Sequence, residues 1–238
     1  MIASTQISSF SIGLSGRESQ DIPYAKLRAD GSHVLAIADG VGGSSDGRRA
    51  AEIAITELDR WVQSDDTNLG HPFARADHYL KETVQREDKT QSLSTTLTAV
   101  IVDQSVATYG HVGDCRIYLL RGAGLRTITT DQTEIARLIA LGVVSKERAK
   151  KYRRSNVLLS ALGASQQYEL ECGQFELEDG DRILICSDGL YKSLAKREIA
   201  KLSTSNSTVQ GFAKAIRASL HASPAGDDAT AVVLEVHT

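Results

Sequence analysis

Two core-like apolar runs in this chain stop abruptly at Asp-Gly. One is Val-Leu-Ala-Ile-Ala ahead of Asp39-Gly40, the other Ile-Leu-Ile-Cys-Ser ahead of Asp188-Gly189. A short run of this kind reads as a buried strand, and an acid at its end projects into whatever cleft lies at the edge of the sheet. The glycine beside it lets the backbone turn sharply and brings a carbonyl oxygen within reach of a bound ion. Asp-Gly is also the commonest tight-turn dipeptide, and Glu178-Asp179-Gly180-Asp181 reads as an ordinary hairpin of that sort. Asp39 and Asp188 differ because each follows four or more core-like residues. Asp39 also leads through Gly42-Gly43 into a helix, an entrance that suits an anion approaching free backbone N–H groups.

Further runs of strand length occur at 97–102, 106–112, 116–120, 173–177, 182–186 and 230–236, beside the first at 33–38. Between them lie helical stripes. Ala50, Ile53, Ala54, Leu58, Trp61 and Val62 form one, with Ser44 or Ser45 as its cap. Phe73, Ala76, Leu80 and Val84 form a second, Ile135, Leu138 and Ile139 a third, and Phe212, Ile216 and Leu220 a late one. The helices fall in groups, not in regular alternation with strands, and no internal repeat of fixed period is present. The expected class is therefore α+β, with sheets covered by helices.

Two more acidic sites stand at strand junctions, Gly113-Asp114-Cys115-Arg116 and Gly226-Asp227-Asp228-Ala229. Strand-end aspartates with no neighbouring His or Cys make the ligand chemistry of Mg²⁺ or Mn²⁺, not of zinc or copper. The net charge of −3 gives no general attraction to nucleic acid or anionic lipid. Three cysteines without a close CxxC pair fit a reducing cytoplasm better than a disulfide framework. No apolar run approaches the roughly 18 residues of a spanning helix, and the start lacks a basic segment followed by an apolar one. A cytoplasmic protein of one domain, residues 1–238, is expected.

At these residues the chain resembles the metal-dependent protein phosphatases of the 2C type, the PPM family, in their compact bacterial form. The matches run in the family's order: Arg17 to Asp21, Asp39-Gly40-Val41-Gly42-Gly43, Ser94-Thr95-Thr96-Leu97, Gly113-Asp114-Cys115-Arg116, Ala161-Leu162-Gly163, Ser187-Asp188-Gly189-Leu190 and Asp227-Asp228-Ala229-Thr230. The resemblance implies a four-layer α-β-β-α sandwich of two packed antiparallel sheets, with metals in a cleft at one end. It implies a serine/threonine phosphoprotein phosphatase using two Mg²⁺ or Mn²⁺ ions, with a third, weaker site. Asp39 would bridge both ions, the Gly40 carbonyl would bind the second, and Asp188 and Asp227 would bind the first. Asp114, with Asp188, would offer the third site. Arg17 would dock the phosphate, as a bidentate donor does better than Lys, and Asp21 would hold metal-bound water. A hydroxide bridging the ions would attack phosphorus in line. A cognate kinase and a monomeric state are expected with it.

The chain departs from the family pattern at several positions. Its first motif, Arg17-Glu18-Ser19-Gln20-Asp21, is one residue short, which bears on the register of Arg17, and Gln20 is neutral where many members have Glu. Asp228 replaces an Asn, and Lys192 replaces an Asp often found four residues after the Asp188 position; a cation there weakens the third-metal site. Val41 stands where eukaryotic members have His, which leaves metal-bound water as the acid for the leaving alkoxide. Residues 146–154 hold six basic side chains and one acidic, within a flap expected at about 132–160 that would attract an anionic phosphopeptide. His111, Cys115 and Cys186 read as packed core residues. The alternative function is a catalytically weak binding module recognising a phosphoprotein or kinase. A phosphatase for a phosphorylated sigma-factor regulator and a small-molecule phosphoesterase are further readings.

Overall fold

The computed structural model describes residues 4–42, 45–88, 93–149, 151–152, 154–222 and 226–237. In chain order the elements are β1 Ser4–Ile12, β2 Asp21–Leu27, β3 His33–Val41, α1 Ser45–Val62, α2 Gly70–Arg86, β4 Ser94–Thr95, β5 Leu97–Asp103, β6 Val106–Val112, β7 Arg116–Arg121, β8 Gly124–Thr127, α3 Glu134–Ala140, α4 Lys146–Ala149, β9 Glu171–Glu176, β10 Arg182–Cys186, α5 Asp188–Ser193, α6 Lys196–Thr204, α7 Val209–Ala222 and β11 Ala229–His237. They build two antiparallel sheets. One has the order β1-β11-β10-β7-β8; the other runs β2-β3-β5-β6-β9, with the short β4 paired to β3.

Alternation along each strand sorts side chains into three apolar seams. On β3, Val34, Ala36 and Ala38 face α1 and α2, where Leu58, Trp61, Phe73 and Leu80 are fully buried. Leu35 and Ile37 face the other way and meet Ile117, Ile183, Ile185, Val232 and Leu234 of the opposite sheet. The outer face of that sheet is closed by Leu190 of α5, Ile199 of α6, and Phe212, Ile216 and Leu220 of α7. Each such side chain contributes about 1.5–3 kcal/mol when buried. The result is the helix-sheet-sheet-helix layering that the family resemblance implies.

Several local expectations change. The 178–181 stretch is a tight turn, with Asp181 N–H donating to the Glu178 carbonyl at 3.1 Å and Gly180 at φ +76°. It is not a hairpin, however, because β9 and β10 belong to different sheets and the turn carries the chain across the sandwich. The third helical stripe forms α3, but none of its side chains is fully buried, so it covers a surface and not the core. The cap expected from Ser44 or Ser45 falls outside the described residues and side chains, as does Gly43. No helix among the described residues is long and apolar enough to cross a membrane.

Candidate metal centre

Parity decides where the acids point. Asp39 follows Leu35 and Ile37 on the inward face of β3, and Asp21 stands directly across from it on β2. Two like charges opposite each other in an antiparallel pair are unfavourable, so their retention at the mouth of an apolar interior marks a site. From the other sheet, Thr230 of β11 and Ser187 at the end of β10 present hydroxyls to the Asp21 carboxylate. Asp21 is 2% exposed, and its Oδ2 has no hydrogen-bond partner.

The remaining acids arrive from neighbouring chain segments. β10 ends at Cys186, and the Thr230 N–H donates to Ser187 Oγ at 3.0 Å while the Ser187 N–H donates to the Thr230 carbonyl at 3.1 Å. That stitch starts α5 with Asp188 beside the 227–228 turn. Gly189 permits the approach: a Cβ there would lie 2.1 Å from the Asp228 carbonyl oxygen. Gly40 does the same at the entrance to α1, where a Cβ would lie 2.1 Å from the Gly47 carbonyl oxygen. Asp114 follows Gly113, whose φ of +117° turns β6 into β7.

Asp39, Gly40, Asp114, Asp188, Asp227 and Arg17 line one cleft of about 320 Å³. Gln20, Val41, Gly42, Thr96, Asn156, Leu158 and Asp228 complete its walls. Asp39 itself is half-buried on the cleft wall. Its backbone is clamped: its carbonyl accepts from Thr96 N–H at 2.8 Å and Thr95 Oγ1 at 2.9 Å, and its own N–H donates to Thr96 Oγ1 at 3.1 Å. Leu162 pairs with Thr95 in turn through two backbone hydrogen bonds, at 2.9 and 3.1 Å. The Ser-Thr-Thr and Ala-Leu-Gly motifs thus hold the strand end that carries Asp39.

The electrostatics are those of crowded, desolvated carboxylates. Burial, above all, pushes Asp21 up to about 7, with Asp228 adding to it. Asp114 is likewise pushed up to about 7, by burial and then by Asp188. Asp39 is raised well above the usual carboxylate range by burial, then by Asp21, Asp188 and Asp114, and Asp227 is raised by burial and by Asp188. Among the described residues no three His, Cys, Asp or Glu side chains already close on a common point. Two of the acids are engaged elsewhere: Asp39 with Asp21, and Asp188 with Lys192 at 2.5 Å. The hard-oxygen donor set, the excess of acidic side chains over the nearby Lys192 and the orphaned Asp21 Oδ2 fit divalent cations.

Arg17 lies exposed on the cleft rim, just after the 3₁₀ turn Leu14–Gly16, in spite of the shortened motif. Asp228 anchors that loop through Leu14 N–H at 2.7 Å and Gln20 N–H at 2.6 Å. Val41, 39% exposed, leaves an apolar side chain at the rim. Arg116 forms a two-pronged pair with Asp131, at 2.8 and 2.6 Å, and stacks 3.6 Å over the Tyr191 ring. Sequence reasoning assigned no role to that pair, nor to Asn156 and Leu158, which follow the basic run with no motif to mark them. Of the basic run, Lys146 and Arg148 sit on the exposed α4, whereas Lys150 and Arg153 lie outside the described residues. His111 is fully buried, its Nδ1 2.8 Å from Thr98 Oγ1, and burial lowers it to about 4. Cys115 and Cys186 are buried with thiols pushed up by burial, so neither is a nucleophile.

Comparison with known proteins identifies the family and the fold. Residues 14–223 match the family model described as protein phosphatase 2C. The chain is 29% identical over 218 residues to the serine/threonine phosphatase stp of Listeria monocytogenes, covering 87% of this chain and 85% of that one. The S. agalactiae serine/threonine phosphatase superposes with a TM-score of 0.91 at 24% identity, over 98% of this chain and all of the other. The catalytic domain of the serine/threonine protein phosphatase PstP, solved in complex with two manganese ions, superposes with a TM-score of 0.84 at 27% identity, over 98% and 99% of the two chains.

Proposed function

Because the chain belongs to the protein phosphatase 2C family, we propose that its acidic cleft removes phosphate from phosphoserine and phosphothreonine side chains of proteins. The observation behind this is the convergence of Asp39, Asp114, Asp188 and Asp227 on one cleft with an arginine at its rim. The family is metal-dependent. Asp39 and the Gly40 carbonyl, with Asp188 and Asp227, would hold a pair of Mg²⁺ or Mn²⁺ ions, and Asp114 faces the same space. A bound pair of divalent ions acidifies water and neutralises charge on the transferring phosphoryl group.

The chain's own residues do the rest. Arg17 offers two parallel donors to phosphate oxygens, which orients the phosphorus for in-line attack. Asp21 Oδ2, buried without a hydrogen-bond partner behind Asp39, would accept a hydrogen bond from a water held between the two strands and orient it. Val41 provides no proton, so no side chain at that rim position acts as an acid. The segment at 132–160 borders the cleft through Asn156 and Leu158, and its exposed basic residues suit an anionic phosphopeptide. This reading treats 1–238 as one catalytic domain, a monomer working opposite a protein kinase. Free cysteines, two of them buried, suit a reducing cytoplasm.

The test is direct. Purified protein with Mn²⁺ or Mg²⁺ should hydrolyse both an aryl phosphate and a phosphoserine peptide, and both activities should vanish with chelator and in Asp39→Asn. Metal binding without turnover on either substrate would leave the phosphoprotein-binding module as the better reading.

A further inference from the structure

α5 begins at Asp188, and Lys192 stands one turn later on the same face, the order in which an acid precedes a base with mutual benefit. Its ammonium donates to Asp188 Oδ2 at 2.5 Å and to Asn156 Oδ1 at 3.0 Å. Asn156 lines the cleft from the far end of the 132–160 segment, so the lysine nitrogen is fixed between a helix start and a loop. Its charge also reaches Asp114 and Asp227, where it opposes the mutual repulsion of the acids. Asp114 is 6% exposed and has the Tyr191 hydroxyl as a long-range donor at 3.4 Å.

We propose that the Lys192 ammonium is a tethered counter-ion for the corner formed by Asp114 and Asp188, and that it limits this centre to two divalent cations by standing where a further one would bind. The inference rests on reading the cleft as a two-cation centre. A charge tied to α5 is present at an effective concentration that free metal cannot match. A divalent ion entering the corner would meet a positive charge held there by two hydrogen bonds, to Asp188 and Asn156. The lysine engages Asp188 through Oδ2, which leaves Oδ1 to a cation held with Asp39 and Asp227, so it would block one corner and not the whole centre. An aspartate at 192 would reverse both effects, adding an oxygen donor beside Asp114 and Asp188 and removing the repulsion.

Bound Mn²⁺ is counted by equilibrium dialysis and elemental analysis, a readout independent of turnover. The wild type should saturate at two equivalents. Lys192→Asp should take a third, with a dissociation constant on the order of 1 mM, as weak carboxylate sites show. Lys192→Met, which removes the charge without adding a donor, should show the same third equivalent more weakly and covers the case in which the aspartate variant does not fold. Three equivalents in the wild type, or two in both folded variants, would overturn the inference while leaving the phosphatase reading intact. No bound metal in the wild type would instead sink that reading itself.

Discussion

The carboxylate of Asp228 holds the backbone of Gln20: Oδ2 accepts its N–H at 2.6 Å, and Oδ1 accepts that of Leu14 at 2.7 Å. One side chain thereby closes both ends of the loop that displays Arg17. Ionised acceptors make stronger hydrogen bonds than neutral ones, about 1.5–3 kcal/mol each. Asp228→Ala should therefore lower stability by about 3 kcal/mol or more and raise KM for a phosphoserine peptide roughly tenfold, because Arg17 loses its orientation. Asp228→Asn, with a single acceptor oxygen, should fall between. Steady-state kinetics and thermal melting check both, and an unchanged KM in the alanine variant would detach Arg17 from this loop's order.

A second prediction concerns the root of the 132–160 segment. Asp131 is gripped by Arg116, and the next residue exchanges two hydrogen bonds with Gly113, its N–H donating to the Gly113 carbonyl and its Oε1 accepting the Gly113 N–H, both at 2.8 Å. The segment is thus rooted beside Asp114. Lysine can neither fork onto the carboxylate nor stack on Tyr191 as the guanidinium does. Arg116→Lys should cost about 1–3 kcal/mol in urea unfolding. It should also speed amide hydrogen exchange around Gln132 and Thr133 more than in α7, and uniform exchange changes would count against a rooting role.

Much of this was legible in the sequence where burial and chemistry coincide. The runs before Asp39 and Asp188 are strands β3 and β10 because their side chains are apolar on both faces, and both acids reach the cleft. β1 and β2 were not legible. Both are edge strands, one rich in serine and the other interrupted by Pro23, so neither carries the two-faced apolar signal of a central strand. That hid why Asp21 matters: its place opposite Asp39 follows from strand register, which no local pattern encodes. The Asp228 loop clamp and the Arg116–Asp131 pair join residues 208 and 15 positions apart and were likewise invisible. Lys192 was visible as an oddity, while its two acceptors required the fold.

The raised carboxylates give the metal-free protein a characteristic pH response. Asp21 and Asp114 titrate near 7 in the folded chain against 3.8 for an ordinary aspartate. Because the folded-state value lies above the unfolded one, the stabilisation these two groups contribute is full below about pH 4 and is lost as pH rises through about 7. With chelator present, these groups should make the protein less stable at pH 8 than at pH 5, by several kcal/mol in sum. Divalent cations neutralise the same charges, so Mn²⁺ should raise the melting temperature far more at pH 8 than at pH 5. An equal metal-induced shift at both pH values would show that the buried acids are not what the metal stabilises.

Two Asp-Gly pairs in this chain make opposite predictions for the same substitution. At Gly189 the conformation is open to any residue, but an added Cβ would meet the Asp228 carbonyl oxygen at 2.1 Å, and neither backbone segment can yield without moving a carboxylate. At Gly180 nothing lies within 4 Å, and the obstacle is a φ of +76°, which costs an alanine about 1–2 kcal/mol. Gly189→Ala should therefore separate Asp188 from Asp227 and reduce kcat/KM by roughly a hundredfold, since small misplacements of reacting groups have effects of that size. Gly180→Ala should lower the melting temperature by several degrees and leave kcat/KM within twofold. Side-by-side kinetics and melting curves separate the two. If Gly189→Ala melted lower yet kept full activity, close approach of α5 to the 227–228 turn would be a packing feature alone, without consequence for the chemistry of the cleft.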